Sequence, residues 1–149
     1  MAFRSPILEV MAIASQQDAS VPAPARSPIL ITIVAWLLPG AGHFLLGRRG
    51  RALLIFAAVL LTFGLGIAMR GPMFEPRTGD LLTTLIQFGG FLGDLASGLL
   101  YLLTVWLGYS QPDMAGHVHD YGSKLLVAAG LLNILAMVDA WEIATGQKE

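Results

Sequence analysis

Two ionisable side chains stand out in this sequence because each lies in a stretch that is otherwise apolar. His43 follows a proline and two glycines, and one imidazole nitrogen at such a break can ligate a metal ion or the magnesium of a chlorophyll-type pigment. Alternatively, His43 bonds to a carbonyl freed by Pro39 and locks two helices together, as polar residues commonly do between membrane helices. We favour the locking role, and any pigment or metal would be assigned to His43.

Asp94 is the only charged residue between Leu81 and Pro112. An ionisable group inside a membrane segment predicts a role in proton or ion passage. A proton relay needs partners, and Gln87 is the one polar residue on a related face. The alternatives are that Asp94 caps a helix over 95–109, or that it pairs with an arginine of a partner subunit. All three interpretations stay open.

A third polar cluster contains His117, His119 and Asp120. In an extended segment, residues two apart point to opposite sides, which makes the two histidines poor co-ligands of one metal ion. We predict a surface loop here. Because the sequence also has no cysteine, no phosphate-binding loop and no hydrolase motif, we expect a protein that is not an enzyme.

The elements that position these residues are predicted to be membrane helices. Of 149 residues, 55% are hydrophobic and 13% are charged, whereas soluble domains carry about 25% charged residues. A net charge of −1 also excludes the basic surface that nucleic-acid binding requires. Because about 20 apolar residues cross a bilayer, the charge-free stretches predict an all-α integral membrane domain over 28–145. Its four spans are expected at roughly 29–46, 51–70, 81–109 and 122–144.

The flanking segments are polar. Residues 1–27 predict an extended or disordered arm rich in proline and alanine, with Met1 or Met11 as the start, and 146–149 predict a short polar tail. With four spans, Lys148 and the 71–80 loop share one side of the membrane. The loop with Arg48, Arg49 and Arg51 lies on the other side with Lys124, and we favour the cytoplasm for it.

The junction between the first two spans is the most distinctive stretch. Pro39 removes a helix hydrogen bond, and Gly40 and Gly42 permit backbone angles that other residues avoid. These residues predict a first span that is broken at Pro39. Gly47 and Gly50 then turn the chain into the second span, so that the two spans form a tight antiparallel hairpin.

Together with His43, Phe44 and Leu46, these glycines form a pattern that resembles the Gly-x-Gly-His-Phe-x-Leu-Gly hairpin of the bacterial two-transmembrane-helix domain family. Leu45 stands where that family has tyrosine. Over about 30–145 the chain resembles a group of uncharacterised bacterial four-span membrane proteins. The resemblance implies the hairpin fold and the bacterial inner membrane, and it implies no catalytic residue.

Small residues predict faces on which helices pack closely in lipid. The third segment carries Gly89, Gly93 and Ser97, and the last segment carries Ala129, Ala136 and Ala140. Asn133 would add an interhelical hydrogen bond of about 1 kcal/mol. The aromatic residues Trp36, Trp106, Tyr109 and Trp141 lie near predicted span ends and are expected at the membrane interfaces.

Two hypotheses for function follow. The first is a non-catalytic accessory or structural subunit of a larger membrane complex, either bioenergetic or photosynthetic, which contacts larger subunits and binds lipid or pigment. It depends on the many small-residue faces and on the lack of a catalytic motif. The alternative is a small homo-oligomeric transporter or channel that uses Asp94.

Overall fold

The computed structural model describes residues 27–112 and 116–148. The predicted N-terminal arm, apart from Ser27, lies outside the described residues, as does Glu149 of the tail. The described residues form helices and no strand, which confirms the all-α class. The helices are α1 Pro28–Leu37, α2 Ala41–Leu45, α3 Arg49–Ala68, α4 Leu81–Ala96, α5 Leu99–Trp106 and α6 His117–Ala144.

Two helices, α3 and α6, are long and apolar enough to cross a membrane, and α4 with α5 adds a third candidate if this bent pair is one span. These helices indicate a membrane protein. The sequence predicted four spans, and the difference lies in the first and third segments. The helix α1 has 10 residues and is therefore only about 15 Å long, because Pro39 ends it. The third segment is interrupted at Gly98.

The central helix is α6, which packs against α1, α3 and α4. It is antiparallel to α3, because Arg51 contacts Asp139 at one end of the pair and Gly71 lies against Ser123 at the other. We call the first the arginine end and the second the loop end. The 71–80 segment, which connects α3 to α4, lies at the loop end.

The first broken helix pair, α1 and α2, enters and leaves at the arginine end. Ile31 of α1 packs in one cluster with Ala140 and Ala144, near the end of α6. After the break at Pro39, Gly42 of α2 lies back against Ala140. The chain then begins α3 at the arginine end. Residues 28–48 therefore turn inside the protein without crossing it.

The second broken pair, α4 and α5, begins at the loop end. Gly93 of α4 packs against Val127, and the later Ala96 is bonded to Asn133, so α4 runs parallel to α6. The helix axis then bends by 103° into α5. Beyond α5, the Tyr109 hydroxyl donates a hydrogen bond to the Gly71 carbonyl (3.1 Å), which returns the chain to the loop end.

The described chain thus consists of two halves that have the same order of helices but start at opposite ends of the protein. Residues 28–68 form a broken pair followed by a long helix that starts at the arginine end, and residues 81–144 repeat this order from the loop end. The two turns meet at mid-depth, where Gly98, with φ +65°, packs directly on the Trp36 carbonyl. Any β-carbon on Gly98 would overlap that carbonyl oxygen.

Two sequence-based predictions about location are wrong. Trp36 was expected at an interface, but its indole N–H donates to the Leu95 carbonyl (3.2 Å) where the two turns meet. Arg51 and Lys148 were expected on opposite sides of the membrane, but both bind Asp139 at the arginine end. The physical reason is the same in both cases: the broken pairs return to the end from which they start.

Candidate functional site

The three polar residues selected from the sequence as membrane-embedded, His43, Asp94 and Asn133, have no exposed surface. Each keeps one polar atom without a hydrogen-bond partner among the described residues: Nδ1 of His43, Oδ1 of Asp94 and Oδ1 of Asn133. Most buried polar atoms in proteins are paired. An unpaired buried atom therefore marks a position where a proton, an ion or water has a binding partner available.

Asn133 lies at the meeting point of the two halves. Its side-chain nitrogen donates to the Trp36 carbonyl (3.1 Å) and to the Ala96 carbonyl (2.9 Å). Both carbonyls lie at the C-terminal ends of broken helices, where no later helical N–H is available. Because both amide protons are used, the orientation of the amide is fixed, and Oδ1 is the acceptor that is left over.

Asp94 lies on α4, four residues before Gly98, where the chain bends. One oxygen, Oδ2, accepts a hydrogen bond from the backbone N–H of Phe74 (2.8 Å), which belongs to the 71–80 segment. Within the described residues, no Lys, Arg or His forms an ion pair with it. The helix continues to Ala96, so the prediction that Asp94 caps a following helix is wrong. The helix break comes later because Gly98 makes the turn.

His43 is bound to a carboxylate. Its Nε2 donates to Oδ2 of Asp139 (2.7 Å). The same oxygen accepts a hydrogen bond from Arg51 (3.1 Å), and the other oxygen of Asp139, Oδ1, accepts one from Lys148. The sequence analysis expected a backbone carbonyl freed by Pro39 as the partner of His43. A pigment would need a ring nitrogen that faces outward, and the structure places the whole His43 side chain in the interior.

Asp139 was not among the residues singled out from the sequence. Asp139 is separated from His43 by 96 residues, and a single sequence gives no direct sign of such a partnership. One signal was present: Asp139 is the first charged residue after a charge-free stretch that begins at Leu125, and it lies six residues after Asn133 on the same helix.

The residues of the predicted hairpin motif divide into packed and open positions. Gly40, with φ +80°, lies so close to the Ala52 carbonyl of α3 that a β-carbon would overlap it. Gly42 is similarly enclosed, whereas β-carbons at Gly47 and Gly50 would have no neighbour within 4 Å. Gly40 therefore fixes the position of the broken pair against α3, and Gly42 allows α2 to pack against α1 and α6.

The predicted small-residue faces are used mainly inside the chain. Gly93, Ser97, Ala129, Ala136 and Ala140 are all buried among α1, α3, α4 and α6. Gly89 is the exception, because a β-carbon there would meet no atom within 4 Å. Most of this surface is therefore occupied within one chain and is not offered to a partner subunit.

The cluster of His117, His119 and Asp120 forms the first turn of α6, so the predicted loop is wrong. Across the described ranges 27–112 and 116–148, no group of three or more His, Cys, Asp or Glu residues is arranged to hold a metal ion. Hydropathy marks only the apolar part of α6. The helix begins earlier than expected because its first turn, which carries the charged residues, lies beyond that apolar part at the loop end.

A cavity of about 410 Å³ opens at the loop end. Charged and polar side chains of both signs line it, among them Glu75, Gln87, Ser123 and Lys124. Phe74 also lines the cavity, and the backbone N–H of the same residue binds Asp94. Phe74 thus lies between this polar cavity and the buried carboxylate.

The fold and the buried polar residues define an all-helical membrane protein with at least two helices able to span the bilayer. Residues 30–149 match a family of unknown function, DUF6677, and the chain belongs to this family. The predicted membership of an uncharacterised family is confirmed. No curated protein and no solved structure matches the chain.

Proposed function

We propose that this protein is a small membrane transporter or channel for a proton or metal cation, with Asp94 and Asn133 at the mid-depth site. The observation that carries the proposal is the meeting of two broken helix pairs, from opposite ends, beside two buried oxygen atoms that have no hydrogen-bond partner in the described part of the chain. Secondary transporters recurrently combine inverted halves, broken helices and a binding site near the midplane.

The chemistry of the site favours a cation. Oδ1 of Asp94 and Oδ1 of Asn133, which have no hydrogen-bond partner among the described residues, are both acceptors. Protons, Na⁺ and other hard cations bind to carboxylate and amide oxygens, whereas an anion would need N–H donors. A carboxylate that is buried without a positive partner is costly, and such groups inside membrane segments mark ion or proton pathways.

The polar residues also follow one another in depth. The cavity at the loop end reaches Phe74, which is bonded to Asp94. Asn133 bonds Ala96, two residues further along α4. Asp139 and His43 lie about 9 Å beyond Asn133, from six residues at about 1.5 Å each along α6. This order supports a path for a cation from the loop end past Asp94 and Asn133 towards the arginine end.

The test is flux into liposomes that contain the purified protein and an internal pH-sensitive dye, with Na⁺ and K⁺ gradients measured separately. Asp94→Asn keeps the size of the side chain and its acceptor for Phe74, so we expect the protein to fold and flux to fall at least about tenfold, as for a removed charge-assisted contact. Glu142→Gln, a carboxylate change at the arginine end, is the matched control and should leave flux unchanged. Equal flux in protein-containing and empty liposomes, or in wild type and Asp94→Asn, would refute the proposal.

The accessory-subunit hypothesis keeps one supporting observation, the exposed apolar surface of α4. Leu81, Leu85 and Leu92 are 89%, 69% and 59% exposed, and the open Gly89 lies among them. Lipid, a second copy or a larger subunit would cover this surface. Extraction in mild detergent, followed by a native gel and mass spectrometry, distinguishes these outcomes. Co-migration with larger subunits, with pigment absorbance, favours the accessory role, and a solitary small oligomer favours transport.

A further inference from the structure

We propose that the groove between the first broken pair and α3 binds one anionic phospholipid of the surrounding bilayer. The groove has a volume of about 500 Å³, within the usual range of about 300–1,000 Å³ for ligand sites. Its lining is apolar apart from one arginine and includes Leu38, Pro39, Phe44, Leu53, Phe56 and Arg49. This inference does not depend on the transport proposal.

The shape of the groove follows from the helix break. Gly40 brings the turn directly onto the backbone of α3 at Ala52, so the small residues Gly40, Ala41 and Ala52 form its floor. Pro39 has no N–H group, and the turn therefore presents little polar surface to the groove. A floor of small residues beside large apolar walls is suited to an acyl chain.

The location of the groove indicates a bilayer lipid as the occupant. Leu38, Phe44 and Leu53 along its open side are 42%, 58% and 69% exposed, and such surface on a membrane protein faces lipid. The groove extends from the first residue of α3 at the arginine end toward the break of α1. A chain lying in it would therefore start near headgroup depth and end near the buried turn.

The positive charge of Arg49 favours a lipid with an anionic headgroup. Arg49 lines the groove, and its guanidinium carbon lies 5.8 Å from the centroid of the Phe44 ring, a cation–π arrangement that fixes the charge beside the apolar walls. Within the described residues, Arg48 and Arg49 form no ion pair, whereas Arg51 is bound to Asp139. A guanidinium group binds phosphate oxygens through paired hydrogen bonds.

The test uses the full-length protein in a non-ionic detergent, with phosphatidylglycerol and phosphatidylcholine of identical acyl chains as probes. Native mass spectrometry counts retained lipids, and thermal unfolding measures stabilisation, because a ligand that binds only the folded state raises the midpoint. We expect one phosphatidylglycerol per chain, a higher midpoint than with phosphatidylcholine, and about tenfold weaker phosphatidylglycerol binding in Arg49→Gln.

Arg77→Gln is the matched control, because it removes the same charge at the loop end and should leave lipid binding unchanged. Ala41→Leu fills the floor of the groove and should weaken both lipids. Equal effects of Arg49→Gln and Arg77→Gln would mean attraction by net charge alone and would overturn the site. Equal stabilisation by the two lipids, or cysteine crosslinks that place a second copy in the groove, would overturn it as well.

Discussion

Within residues 27–112 and 116–148, two ionisable groups have no exposed surface, His43 and Asp94, and their surroundings differ sharply. His43 is bound to Asp139, whose charge is also shared by Arg51 and Lys148 at the arginine end. Asp94 has one backbone N–H as its partner and one oxygen without any among the described residues. A buried ion-pair cluster in which the charges balance stabilises the fold. A buried ionisable group without an opposite charge lowers the stability of the fold, and a functional role would explain why it is retained.

The largest effect is expected where the ion-pair cluster around Asp139 is broken. Asp139→Asn leaves the buried His43 without its carboxylate and removes the charge that Arg51 and Lys148 share. We expect a loss of about 3 kcal/mol in the free energy of unfolding, the lower part of the range for a broken buried pair, because Arg51 and Lys148 are nearly half exposed. Reversible unfolding in mixed micelles measures it. A loss below about 1 kcal/mol would mean that the cluster behaves as a surface ion pair.

The next effect tests how closely α4 must approach α6 to form the mid-depth site. A β-carbon on Gly130 would overlap the Gly93 carbonyl, whereas one on Gly89 would meet nothing within 4 Å. Gly130→Ala should therefore cost about 2–3 kcal/mol by overpacking, and Gly89→Ala should be neutral or stabilise the helix by up to about 1 kcal/mol. Equal unfolding midpoints for the two variants would contradict the close approach of these helices.

The smallest effect on stability is expected for Asp94→Asn. It sharpens the comparison most, because the same change from Asp to Asn is made at Asp94 instead of in the Asp139 cluster. Asp94→Asn retains an acceptor for the Phe74 N–H and removes a buried charge that has no positive partner in the described chain. We expect a change of at most about 1 kcal/mol, in the stabilising direction. A destabilisation equal to that of Asp139→Asn would show that Asp94 is a structural residue, whatever its effect on flux.

The sequence predicted which polar residues are buried better than it predicted the arrangement of the chain around them. His43, Asp94 and Asn133 were recognisable because each interrupts an apolar stretch, and the break at Pro39 was recognisable because proline removes a helix hydrogen bond. The break at Gly98 was not located, since Asp94 itself suggested a helix cap four residues earlier. A glycine within an apolar run gives a weaker signal than a proline.

The direction of each segment was beyond the sequence analysis for a physical reason. Hydropathy reports how many apolar residues are consecutive, and a helix that crosses the bilayer has the same composition as two short helices that turn back. The 10 residues of α1, the 5 of α2 and the break between them together approach the length of one span. The contacts of Ile31, Trp36 and Gly42 with α6 show that the chain returns.

The central position of α6 also determines the order in which the structure can assemble during synthesis. Trp36 and His43 find their partners 97 and 96 residues later in the chain. At about 5–20 residues per second, the ribosome needs about 5–20 s to reach those partners. Until then the freed carbonyl of Trp36 and the imidazole of His43 have no helix to bind. The first broken pair can therefore complete its packing only after the last helix has been made.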